Sequence, residues 1–153
     1  MTRKSLTLIA AGGSAALLAG AFVFQSLGYL PCKMCLWQRW PHAAAIVIGI
    51  LALFVPLPAL LWLGALAAAI TAGIGYYHSG VEQKWWEGPA SCTQAGNGIG
   101  GLSGGDLLSR EGPALILCDQ ISWSFAGLSM PTWNAILSTV LVAVWIAAAR
   151  AKA

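Results

Sequence analysis

The chain has 153 residues, of which 58% are hydrophobic and 8% charged, with five Asp or Glu, eight Lys or Arg and a formal net charge of +3. A soluble domain carries roughly 25% charged residues, and a mean hydropathy of +0.74 leaves more apolar surface than one small core can hide. A soluble globule is excluded, the lipid bilayer is the surrounding medium, and cations spread over tails and one polar loop argue against nucleic acid as a partner.

About 20 apolar residues are needed to cross about 30 Å of hydrocarbon. The first span is predicted over about 6–27, uncharged after Arg3 and Lys4. A cleavable signal peptide ending near Ala19-Gly20-Ala21 is the competing reading, but the apolar stretch outruns the roughly 7 to 15 residues typical of one. An outer loop over 28–36 follows and holds Cys32 and Cys35.

The second span is predicted over about 37–55. From His42 to Val55 there are only 14 residues, so the helix must start near Leu36 or Trp37. Pro41 then falls in or just past the first turn, where a missing N–H costs least, and Arg39 reaches the headgroup level. Val55-Pro56-Leu57-Pro58 breaks the chain before a third span over about 57–77. No Asp, Glu, Lys or Arg lies between Arg39 and Glu82.

Residues 78–131 form a polar outer loop of 54 residues holding all five acidic residues and 10 of the 18 glycines. Within it, Gly96 to Gly105 has six glycines in ten residues, the composition of a flexible linker. The fourth span is predicted over about 132–149, before Arg150 and Lys152. These elements make residues 1–153 a single integral-membrane domain: an all-α membrane protein, a four-transmembrane-helix bundle with one long flexible outer loop.

Two cysteines lie in the first outer loop and two, Cys92 and Cys118, in the second. An even number of spans separates the loops, so all four thiols share one face, as expected in an oxidising compartment such as a periplasm. Lys and Arg divide four against four between the two faces, so orientation rests on the cysteines more than on charge. Both termini are then expected in the cytoplasm.

A C-x-x-C serves zinc, haem attachment and redox chemistry alike. Here Leu30-Pro31 sets it at the N-terminal end of the second span, where free N–H groups and the helix dipole stabilise a thiolate. Arg39, one turn past Cys35, adds positive potential. Two structural disulfides, or a four-thiolate metal site, are the alternatives; the spacing of Cys92 and Cys118 disfavours the metal, and no metal is expected. Trp37, Trp40, Trp85, Trp86, Trp123 and Trp133 read as an interfacial aromatic belt, and Pro113 to Cys118 as a segment lying on the membrane surface.

The sequence resembles the disulfide bond formation protein B (DsbB) family over nearly its whole length. The resemblance is carried by Pro31-Cys32-Lys33-Met34-Cys35-Leu36-Trp37-Gln38-Arg39, by Tyr77-His78-Ser79-Gly80-Val81-Glu82 leading to Trp86-Glu87-Gly88-Pro89-Ala90-Ser91-Cys92, and by Cys118 to Phe125. Some members carry an acidic residue where this chain has Gln38.

The resemblance implies an inner-membrane thiol oxidase that reoxidises a periplasmic DsbA-like dithiol oxidase and reduces membrane quinone, ubiquinone or menaquinone. It implies that Cys92 is attacked by the partner and resolved by Cys118, which passes electrons to Cys32 through an interloop disulfide. Cys35 then faces the quinone, and Arg39 and His78 bind it. His42 is a further candidate on the residue chemistry alone. A reductase resembling the vitamin K epoxide reductase family is the nearer rival, although its loop cysteines precede the C-x-x-C. A non-catalytic tetraspan protein with structural disulfides is the other.

Overall fold

The computed structural model describes residues 1–55, 57–89, 92 and 117–151. Pro56 of the predicted turn, the Gly96 to Gly105 linker, Arg110, residues 113–116 of the surface segment and Lys152 lie outside the described residues.

Among the described residues four long helices carry the fold: α1 (Arg3–Ser26), α2 (Lys33–Phe54), α3 (Pro58–Glu82) and α4 (Met130–Arg150). Three of them, α1, α3 and α4, are long and apolar enough to cross a membrane. The 22 residues of α2 reach about 33 Å at 1.5 Å per residue, with Gln38, Arg39 and His42 in its outer half. Around the bundle, α3 packs on α4 and α2, and α1 on α2 and α4. The chain is a helical membrane protein.

Each helix starts where local chemistry allows. Thr2 caps α1, its hydroxyl accepting from the Ser5 N–H at 3.3 Å. Cys32 caps α2 in the same manner, and Pro58 and Pro131 occupy the first turns of α3 and α4. Because α2 begins at Lys33, Pro41 lies in its third turn and not its first, where it withholds the i→i−4 donor from the Trp37 carbonyl.

The third helix runs past the predicted end of its span, through His78 to Glu82, because those residues are buried against neighbouring elements. It stops in a Schellman motif. Trp85 N–H reaches the Gly80 carbonyl at 2.9 Å and Lys84 N–H the Val81 carbonyl at 3.1 Å, with Lys84 at φ 59°. A short hairpin, β1 (Ser124–Phe125) with β2 (Leu128–Ser129), precedes α4, turning through Ala126 and Gly127, both at positive φ. The sequence reading foresaw no strand there.

At the end of the bundle remote from the cysteines the core is small residues around one large ring. Trp145 is fully buried among Ala10, Leu61, Ala65, Ala68, Leu141 and Ala148. A Cβ on Gly64 would sit 2.7 Å from the Trp145 ring, so glycine is what lets α3 and α4 close on it. The Arg3 guanidinium donates to the Ala151 carbonyl at 2.8 and 3.2 Å, which brings the start of α1 and the end of α4 to the same end.

Candidate active site

The opposite end gathers residues far apart in the chain. As N-cap, Cys32 is nearly buried, and its Sγ accepts the Cys35 N–H at 3.3 Å. Cys32 and Cys35 are free thiols with sulfurs 3.0 Å apart, Cys32 donating. That bond, then burial, pushes the Cys32 thiol well above its ordinary range. The same bond, with the backbone contact to Cys32 and the Arg39 charge, holds Cys35 below the ordinary range against the opposing effects of burial and Glu82. The two shifts run in opposite directions, so Cys35, in the first turn of α2 ahead of the predicted span, is the more acidic thiol of the pair.

Cys92 and Cys118 are joined in a disulfide with Cα atoms 5.3 Å apart, and the Cys118 N–H donates to the Cys92 carbonyl at 3.0 Å. Both are buried, packed with Cys32, Met34 and Val81. The segment is tied to the end of α3 by Lys84 Nζ, 3.7 Å from Asp119 Oδ2. The Cys32 and Cys118 sulfurs and a ring nitrogen of His78 all lie within 4.8 Å of one another.

His78 is only 2% exposed. Its Nε2 is 3.5 Å from Cys32 Sγ and its Nδ1 3.0 Å from Gln38 Nε2. Arg39 does lie one turn past Cys35, but α1 holds its head: Nη1 donates to Gln25 Oε1 at 2.7 Å, Nη2 to the Ala21 carbonyl at 3.3 Å, and the guanidinium stands 4.8 Å over the Phe22 ring. His42 is buried, with Nε2 2.9 Å from Asn134 Oδ1.

These groups border a cavity of about 430 Å³ whose wall includes Cys32, Cys35, Arg39, His42, His78 and Glu82. It is large enough for a small planar ligand. Buried polar atoms without a partner among the described residues include Arg39 Nε, His42 Nδ1 and Glu82 Oε2, all on cavity-lining residues.

Sequence reasoning missed four residues here. Gln38 and Thr71, both buried, and the half-buried Asn134 form a network that joins α2, α3 and α4. Glu82 is a buried carboxyl whose Oε2 has no partner among the described residues. The available signal was polarity inside otherwise apolar helices, which is costly in a bilayer unless it is used. Of the belt tryptophans, Trp40 and Trp85 are strongly exposed at 77% and 72%. Trp86 instead stacks on Tyr77 and donates to the Tyr77 carbonyl at 2.9 Å, over the notch left by Gly80.

A dithiol capping a helix, with a cystine at contact range in a bundle of membrane helices, defines the class: a membrane oxidoreductase of disulfide formation. The family model described as Disulfide bond formation protein DsbB matches residues 3–148. The chain belongs to that family. Proteins called Disulfide bond formation protein B are similar to it in Dechloromonas aromatica strain RCB (30% identical over 143 residues, 86% of this chain and 82% of that protein) and Verminephrobacter eiseniae strain EF01-2 (31% over 153 residues, 93% and 85%). Another is found in Azoarcus sp. strain BH72 (30% over 160 residues, 94% and 92%). No solved structure matches the chain significantly.

Proposed function

We propose that this protein is a thiol:quinone oxidoreductase of the bacterial inner membrane, which reoxidises a periplasmic DsbA-like dithiol oxidase and delivers the electrons to ubiquinone or menaquinone. The observation that carries the reading is the convergence of the two cysteine pairs, with Cys118 and Cys32 sulfurs within 4.8 Å, beside a cavity lined by Cys35.

The partner's thiolate attacks Cys92, forming a mixed disulfide and releasing Cys118 as a thiolate. Cys118 then attacks Cys32, the Cys32–Cys35 bond breaks, and the electron pair leaves on Cys35. The helix N-terminus, the Cys32 hydrogen bond and the Arg39 charge stabilise that leaving thiolate. When bound, a quinone supplies the two-electron, two-proton sink. The cavity residues suit such a group, since Arg39 Nε offers a donor to a carbonyl oxygen, and His42 Nδ1 and Glu82 Oε2 offer buried polar atoms to a hydroxyl. Arg39 and His78 are the binding residues of this reading, Arg39 acting on developing charge as an oxyanion donor does.

The reading includes one integral-membrane domain with both termini cytoplasmic and the cysteine loops periplasmic. It is supported by the Arg3–Ala151 contact at the end of the bundle remote from the cysteines. The test is oxidation of a reduced, purified DsbA-like protein by this chain in detergent, with and without ubiquinone. Catalytic loss of partner thiols only with quinone is expected. Quinone-independent turnover would overturn the cofactor assignment, and untouched partner thiols the whole reading.

A further inference from the structure

We propose that Gln38, oriented by Asn134 and Thr71, is a positioning residue that fixes His78 as a neutral ring protonated on Nε2 and aims that N–H at Cys32 Sγ. The inference rests on the exchange chemistry above and adds to it the residue that decides where the histidine proton sits.

Main-chain carbonyls, which can only accept, anchor the proton map. Thr71 Oγ1 is 3.2 Å from the Gln38 carbonyl, so its one hydrogen is committed there. Thr71 Oγ1 therefore faces Asn134, also at 3.2 Å, as an acceptor, and the Asn134 atom is the amide nitrogen Nδ2. The same Nδ2 is 2.7 Å from the Gln38 side chain, which must present Oε1. That leaves Gln38 Nε2 pointing at the Met34 carbonyl at 3.4 Å and at His78 Nδ1 at 3.0 Å.

A donor opposite Nδ1 requires a lone pair on Nδ1, so the ring is neutral and its proton is on Nε2, 3.5 Å from Cys32 Sγ. By the same logic Asn134 turns Oδ1 to His42, which must donate from Nε2 at 2.9 Å. Both histidines of the chain thus carry the same tautomer.

The placement serves one step of the exchange. When the Cys92 thiolate attacks Cys118 in a Cys118–Cys32 disulfide, the Cys92–Cys118 bond forms, the Cys118–Cys32 bond breaks, and Cys32 leaves with the electron pair. The His78 N–H and the Cys35 main-chain N–H are the two donors on that leaving sulfur. The bonding seen here, Cys92 joined to Cys118 and Cys32 free, is the product of that step. A carboxylate at position 38 would accept from Nδ1 and put a proton on that nitrogen, so glutamine and an acid at this position give different rings facing Cys32.

The test is nitrogen NMR of the full chain in detergent, labelled with 15N-histidine, with Cys32 and Cys35 reduced. Two neutral rings, both protonated on Nε2, are expected; a doubly protonated ring or an Nδ1–H tautomer in the wild type overturns the proposal. Gln38→Glu keeps the size and the acceptor for Asn134, and should place a proton on Nδ1 of one ring only. An unchanged spectrum overturns it. Gln38→Leu should lower partner oxidation roughly threefold to tenfold, the worth of one hydrogen bond, and full activity of a folded Leu variant also overturns it. Should the Leu variant fail to fold, the wild-type and Gln38→Glu spectra decide. Those spectra need neither quinone nor partner, so failure of the oxidase reading leaves them readable.

Discussion

The two ends of the same four helices are held together by different physics. At the end near the termini, alanine and glycine notches receive one buried indole, and the contacts around that ring are apolar and without direction. At the cysteine end the buried groups include Gln38, His42, Thr71, His78 and Glu82, joined by the half-buried Asn134, and the hydrogen bonds of Gln38, His78 and Asn134 have defined donors and acceptors. Packing fixes the first end by volume, whereas the second is fixed by where protons are. In a bilayer, where apolar burial between helices gives little net driving force, both close small-residue packing and satisfied polar networks are available for association. This protein separates them along the bundle axis and keeps its thiols with the network.

Four experiments would break or sharpen that division. The largest effect is expected from Cys92→Ser, which should abolish oxidation of the partner while the Cys32–Cys35 pair remains oxidisable by quinone. Equal loss of both half-reactions would show that the cysteine pairs are not separate stations. Trp145→Ala belongs to the packed end and should cost about 3–5 kcal/mol of stability, seen as a lower midpoint of thermal unfolding in detergent. The protein that stays folded should keep its quinone kinetics, and a specific loss of turnover would show that the two ends are coupled.

Arg39→Ala tests the network end at its one guanidinium among the described residues. Turnover should fall by roughly 10²- to 10³-fold if the cation acts on developing charge, while attack on Cys92 stays normal. Rescue by excess quinone would indicate ground-state binding instead. Arg39→Lys should be intermediate, because it keeps the charge and loses the fork that spans Gln25 and Ala21.

The smallest effect is a pH shift. Since Cys35 is held below the ordinary thiol range, its thiolate is present at pH values where a free thiol is still protonated. Alkylation of Cys35 should therefore level off at lower pH than alkylation of a model thiol. Cys32→Ala removes the sulfur hydrogen bond that is the main cause, and the midpoint should move upward. A midpoint that does not move would assign the lowered value to the helix end and Arg39 alone.

Much of this was legible from local sequence. Composition and run length fix the medium and the helices, because hydrocarbon thickness sets a length that any sufficiently apolar segment meets or fails. The break at Leu30-Pro31 places Cys32 and Cys35 at a helix start, and the four-residue step puts Arg39 on the same helical face, both consequences of backbone geometry. The helix limits were less legible: α2 starts four residues before its predicted span and α3 runs on to Glu82, since buried contacts with other elements carry the helix beyond its apolar stretch.

Only the tertiary structure could decide the rest. Gln38 meets His78 across 40 residues of chain and Asn134 across 96, separations at which no periodicity constrains a pair. A polar residue within a span announces that it needs a partner, but which partner, and which atom donates, depends on the rotation of three helices about their axes. The Arg39 head is turned to α1, His78 is buried against Cys32, and Cys118 lies beside them, because packing set those rotations and the pairing of buried polar groups followed.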